Sequence, residues 1–293
     1  MFEAWSHPLP EVGLTLRGWH TPPSGKPLIH FLHGNGFCGR TYEPMLRHLA
    51  QDFDLWLSDI QGHGDSDHGD QFLGWNRNAE LAMHTFQAHR HLYGDVPTYA
   101  LGHSFGGVLT SLMLAHRQHP FQKAVLLDPV LFPATMLMGM SFISLVGVGK
   151  LTPLARAALQ RRKQWSSRDE AYQALWGRGT YKGWTEEALR AFVDHALKDT
   201  DDGGVALKCA PSREADIFSS APERLWGSVG RIRIPTLILH GADSMPFVAP
   251  GATHAASINQ QIQKREVSGG HCFMQEDPSS AAQYVRDYLL ASC

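Results

Sequence analysis

Residues 98–107 read Thr98-Tyr99-Ala100-Leu101-Gly102-His103-Ser104-Phe105-Gly106-Gly107. A short apolar run, Thr98–Leu101, leads into a serine set between glycines, and an apolar helical stretch, Val108–Ala115, follows. A strand-to-helix hairpin needs this order. The glycines let the helix pass close to the strand, and the serine hydroxyl is left exposed on a tight turn at the helix N-terminus. A glycine-rich turn that merely contains a serine would show the same letters; the flanking strand and helix favour the hairpin. Ser104 is therefore the candidate nucleophile.

Two further motifs fall into place around it. His33-Gly34-Asn35-Gly36 ends the strand expected at Leu28–Leu32. Acyl transfer needs two backbone N–H groups aimed at the developing oxyanion. Phe105, just after the serine, would supply one and Asn35 the other, although Asn-Gly is also a common turn pair. Gly269-Gly270-His271 follows the last expected strand and precedes the closing helix. A general base must reach the serine hydroxyl from such a late loop, so His271 is the candidate base.

The rest of the chain alternates short apolar runs with helix-like segments, the rhythm of an α/β fold with a mostly parallel central sheet flanked by helices. Strands are expected at Leu14–Trp19, Leu28–Leu32, Leu55–Asp59, Thr98–Leu101, Ala124–Leu127, Thr236–Leu239 and Lys264–Val267. Open sheets of this kind bind ligands at the strands' carboxyl ends. Between Asp128 and Pro235 the rhythm breaks. Helix-like segments take over at Leu151–Gln164, Ser167–Trp176 and Thr185–Leu197, the last with Thr185 as its cap. They read as an insertion over the sheet's carboxyl edge. Ser279–Ser292 reads as a closing helix with Ala282, Tyr284, Val285, Tyr288 and Leu289 turned inward.

Composition bounds the answer. The 293 residues, 43% hydrophobic, suffice for one large core plus an insertion. A formal charge of -2 gives no electrostatic reason to expect nucleic acid or an anionic membrane. Four scattered cysteines without a CxxC pair argue against a disulfide framework and for a reducing compartment, the cytoplasm. The N-terminal residues lack the basic and apolar regions of a signal peptide. The apolar stretch Val130–Val148 nears the length of a membrane span, but Pro133 and glycines interrupt it and it starts straight after a strand. No membrane span is expected there; a buried or pocket-lining helix pair is. Nothing in the sequence bears on oligomeric state.

The chain resembles the α/β-hydrolase superfamily over nearly its whole length. The matching residues are His33-Gly34, Asp59-Ile60-Gln61-Gly62-His63-Gly64-Asp65-Ser66, Gly102-His103-Ser104-Phe105-Gly106-Gly107, Leu237-Ile238-Leu239-His240-Gly241-Ala242-Asp243 and Gly270-His271. The resemblance implies an α/β-hydrolase core over 1–130 and 231–293, and a helical cap over 131–230, inserted after the sixth strand. Two positions depart from the pattern. Many relatives carry Arg where this chain has Gln61. Relatives also usually carry the triad acid three residues after the glycine that ends the seventh strand, which is Ser244 here, with Asp243 one residue early. An acid is needed to orient His271 and stabilise its imidazolium. Asp243 is preferred by a narrow margin, and Asp128, which ends the sixth strand, is the alternative. Either carboxylate could instead simply shape a turn.

Two other clusters read more blandly. His63, Asp65, Asp67, His68 and Asp70 lack the HxHxDH spacing of metallo-hydrolases, so no metal is expected. Cys272 has no nucleophile elbow and reads as a packed thiol.

These motifs imply a serine hydrolase cleaving a carboxylic ester or related acyl bond through an acyl-enzyme, without a cofactor. The Phe, Met and Leu content of Leu131–Leu145 points to a small or medium apolar molecule. The alternatives are a carbon–carbon bond hydrolase, a lyase on the same fold, or a non-catalytic ligand-binding protein that reuses it.

Overall fold

A computed structural model of the chain describes residues 2–145 and 149–291. The main sheet has eight strands: β1 (Glu3–Leu9), β2 (Leu14–His20), β3 (Leu28–Leu32), β4 (Asp54–Ser58), β5 (Thr98–His103), β6 (Lys123–Leu127), and, after a long insertion, β10 (Thr236–Gly241) and β11 (Ile262–Val267). The insertion contributes β7 (Gln164–Trp165), β8 (Leu197–Asp199) and β9 (Val205–Leu207) to a separate antiparallel sheet. The helices are α1 (Glu43–Leu49), α2 (Trp75–His89), α3 (Phe105–Leu114), α4 (Ala134–Leu145), α5 (Pro153–Gln160), α6 (Arg168–Leu175), α7 (Glu186–His195), α8 (Pro211–Phe218), α9 (Leu225–Val229), α10 (Val248–Ile258), α11 (Phe273–Glu276) and α12 (Pro278–Leu290).

The main sheet runs β1-β2-β4-β3-β5-β6-β10-β11; β1 and β2 pair antiparallel, and the strands from β4 to β11 are parallel. Both faces are covered. Ile29 and Phe31 of β3 point into one apolar layer with α1 and α12, whereas Leu28 and Leu32 point into the other with α2, α3 and α10. Burial on both faces explains why these strands read as unbroken apolar runs. β11 differs: as an edge strand it keeps Lys264, Arg265 and Glu266 exposed, which discourages pairing with another chain.

Each of the seven expected strands is present. β1 was not anticipated, because Pro8 and its charged and polar residues obscure the alternation that buries Trp5 and Leu9. Proline is tolerated there because β1 lies at the sheet's edge. The insertion is not wholly helical: its strands are too short to show any period. α5, α6 and α7 are shorter than the segments read from sequence, though Ser167 and Thr185 do cap α6 and α7. Among the described residues of the apolar stretch after β6 there is one helix, α4, where a buried or pocket-lining pair was expected, and its Met138 is 73% exposed. Val146–Val148 and Ser292, which end two of the expected segments, lie outside the described residues. No helix among the described residues is long and apolar enough to cross a membrane.

Candidate active site

Ser104 stands between β5 and α3 with φ 54° and ψ -116°, a conformation unfavourable for any residue with a side chain. Its neighbours make it tenable. A Cβ on Gly102 would lie 2.5 Å from the Gly106 carbonyl oxygen, and one on Gly106 would lie 2.3 Å from that of Leu32. Only glycine at both places lets α3 cross the ends of β5 and β3 so closely. The serine is 7% exposed.

His271 lies in the loop between β11 and α11. Its Nε2 is 2.9 Å from Ser104 Oγ, and its Nδ1 is 2.6 Å from Asp128 Oδ2. Asp128 follows β6, also at positive φ, and its carboxylate is fully buried. Oδ1 accepts the Gly241 N–H at 2.8 Å, and Oδ2 also accepts the Ser244 hydroxyl. Asp243, the acid narrowly preferred from sequence, is exposed; its N–H bonds the Gly269 carbonyl at 3.0 Å. The carboxylate facing His271 is thus that of Asp128, which corrects the preference. The sheet order explains the difference. β6 lies beside β5, so a residue that ends β6 adjoins the serine turn directly, whereas Asp243 follows the next strand out. A hydroxyl, an imidazole and a buried carboxylate in this line can pass a proton from the oxygen to the ring and stabilise the resulting imidazolium.

A second buried chain of hydrogen bonds braces the first. The His271 carbonyl can only accept, so it takes the Nε2–H of His103 at 2.9 Å. His103 Nδ1 must then accept from the Tyr42 hydroxyl at 2.6 Å, and that oxygen accepts the Gly34 N–H at 3.0 Å. Burial holds the His103 pKa well below 6.5 and the Tyr42 pKa well above 10, so both stay neutral. His33, pulled down to about 4 by burial, accepts the Ile60 N–H on Nε2 at 3.0 Å. Neither Tyr42 nor His103 was singled out from sequence, since one is an unremarkable core aromatic and the other sits inside the motif. Ser244 had a signal: it occupies the position where relatives carry their acid.

The loop after β3 lies against the first turn of α3, as the Gly106 contacts with Leu32 and His33 show. Among the described residues, neither the Asn35 N–H nor the Phe105 N–H has an acceptor. The Asn35 side chain is held separately: Oδ1 is 3.2 Å from His63 Nε2, and Nδ2 donates to the Glu214 carbonyl at 3.2 Å.

The other clusters are dispersed to separate partners. Asp65 pairs with Lys208, Asp67 with Arg17, and His68 Nδ1 with Arg213. Gln61 knits its own loop, donating to the His68 and Gln71 carbonyls and accepting from the Leu73 N–H and the Asn78 side chain. Fully buried Arg213 of the insertion donates to the His68 carbonyl at 2.7 Å, so a guanidinium does serve this loop, from another element. Cys272 is buried, and burial pushes its thiol pKa up, away from a reactive thiolate.

The chain is similar to known proteins in sequence and fold. A family model described as "Alpha/beta hydrolase family" matches residues 31–283. The abhydrolase domain-containing protein AKT2 of Alternaria alternata is 30% identical over 230 residues, covering 66% of this chain and 83% of that one. Monoglyceride lipase of Mus musculus is 34% identical over 125 residues, 40% of this chain and 39% of the lipase. Among solved structures, E-2-(acetamidomethylene)succinate hydrolase superposes with a TM-score of 0.76 at 19% identity, covering 99% of this chain and 100% of that one.

Proposed function

Because the chain belongs to the alpha/beta hydrolase family, we propose that it is a serine hydrolase acting on a carboxylic ester or related acyl bond. The observation that carries this reading is the single line from Ser104 Oγ through His271 to Asp128, at 2.9 and 2.6 Å. In this mechanism Ser104 attacks the acyl carbonyl while His271 Nε2 takes its proton, and Asp128 holds the ring and stabilises the imidazolium. The Asn35 and Phe105 N–H groups hold the oxyanion as the tetrahedral centre forms. His271 returns the proton to the leaving group, leaving Ser104 acylated. Water then attacks the ester as His271 takes its proton; collapse frees the acid and restores the serine. Every proton is handled by these residues, so the route calls for no cofactor.

The surroundings favour an apolar acyl group of small to medium size. Phe72 packs on Phe105 and Phe247 on Phe132, and half-buried Met136, Leu137, Trp226 and Met245 pack against the same apolar layer. Residues 131–230 would act as the cap that shapes the pocket. Buried free thiols at Cys38, Cys209 and Cys272 agree with a reducing compartment such as the cytoplasm.

The test is intact-protein mass after treatment with a fluorophosphonate. We expect one adduct on the wild type and none on Ser104→Ala. No adduct on folded wild type would overturn the reading and favour a binding protein built on this fold.

A further inference from the structure

The insertion carries one charged constellation that the chemistry at Ser104 leaves unused. Arg161, at the C-terminal end of α5, donates from Nη1 to Glu214 Oε2 at 2.7 Å and from Nη2 to the Tyr181 hydroxyl at 2.8 Å. This pair lies against the loop after β3. A methyl group on Gly36 would stand 3.3 Å from Glu214 Oε1 and 3.4 Å from Arg161 Nη1. Gly36 is the residue next to Asn35, whose side chain bonds the Glu214 carbonyl.

The neighbouring side chains are aromatic: Tyr181 packs on Trp184 and Phe192, and Phe37 packs on both of those rings. Desolvating an ion pair among such side chains costs more than well-packed apolar residues would. Packing alone therefore gives no reason for a guanidinium here. Its side chain keeps 22% of its surface exposed, against 12% for Glu214. The two bonds occupy only part of a fork that carries five N–H donors in one plane, and that fork matches a carboxylate.

We propose that Arg161 is a specificity residue that binds a second, anionic group of the substrate. The substrate class is then an ester or thioester whose acyl chain is apolar and ends in a carboxylate, a half-ester of a dicarboxylic acid. Glu214 and Tyr181 hold the guanidinium in place. This inference rests on the serine-hydrolase reading for the position of the acyl carbonyl, but binding can be measured without turnover.

The experiment compares glutarate with valerate binding, by calorimetry, to Ser104→Ala protein and to the same protein carrying Arg161→Met. Glutarate is expected to bind at least tenfold more tightly than valerate, and Arg161→Met should remove roughly 10- to 100-fold of that advantage, as loss of a charged hydrogen bond would. In active enzyme, the kcat/KM ratio of p-nitrophenyl hemiglutarate to p-nitrophenyl valerate should fall by the same factor. Arg161→Met leaves Glu214 unpaired, so the double variant Arg161→Met/Glu214→Gln provides a second test without a buried lone charge. Equal binding of the two acids to folded Ser104→Ala protein overturns the proposal even if Ser104 is acylated. A glutarate preference that depends on Arg161 supports it even if no ester is cleaved.

Discussion

At the residue scale, the choice between two aspartates separates what the motif shows from what contacts decide. Asp128 Oδ2 takes both His271 Nδ1 and the Ser244 hydroxyl, while Asp243 faces solvent. Asp128→Asn should lower kcat/KM by about three to four orders of magnitude, because an amide stabilises the wrong imidazole tautomer. Asp243→Asn should change it by less than about threefold. Steady-state kinetics on a p-nitrophenyl ester check both, and a reversed ranking would sink the assignment. Tyr42 offers a second test. Its hydroxyl joins the Gly34 N–H to His103 and, through it, to the His271 carbonyl. Tyr42→Phe strands two buried polar groups, so it should cost about 1–3 kcal/mol of stability. It should also lower kcat by about tenfold with KM little altered, since the loop carrying Asn35 loses its tie to the base. A loss confined to stability would leave Tyr42 a core residue only.

At the element scale, the insertion is tied to the core by α8. Arg213 donates to the His68 and Gly69 carbonyls and lies over Phe72, while Glu214 on the same helix reaches Arg161 and, through its carbonyl, Asn35. One helix thus touches both the loop after β4 and the loop after β3. Arg213→Met would leave the His68 carbonyl to Gln61 alone and take the guanidinium from the Gly69 carbonyl, and we expect a loss of about 1–3 kcal/mol in urea unfolding. A change below about 0.5 kcal/mol would show that water satisfies the carbonyls and that α8 is no strut. α7 adds to the attachment: Leu189 and Phe192 share an apolar layer with Phe31 and Tyr42, so this part of the insertion packs into the main core.

At the scale of the whole molecule, buried histidines govern the response to acid. Burial holds His30 down at about 3 and His33 at about 4, and His63 and His103 well below their ordinary value. The unfolded chain protonates all four near pH 6.5 and the folded chain does not, so stability is complete above about pH 6.5 and is lost as pH falls below it. Asp59 opposes them: burial raises its folded pKa to about 7, so the folded chain holds a proton that the unfolded chain releases between about pH 4 and 7. The histidines outnumber Asp59, so below about pH 6 the folded chain binds fewer protons than the unfolded one and stability falls with pH. Urea midpoints should therefore fall steeply from pH 6.5 to 5 and change little from 7.5 to 9; a flat profile from 7 to 5 would mean that these rings are charged or solvated. The sequence alone determined the α/β class and seven strands of the main sheet, and it singled out Ser104, His271, Asn35 and Phe105 as candidates. Those features rest on local chemistry: strand runs buried on both faces, and glycines that only a close crossing of strand and helix requires. Only the tertiary structure set Asp128 rather than Asp243 against His271, revealed β1 and the small sheet, and linked Tyr42 through His103 to the His271 carbonyl. Each of these depends on which elements lie side by side in the folded chain, and Tyr42 and His103 meet at a separation of 61 residues. Residue spacing carries no record of such neighbours.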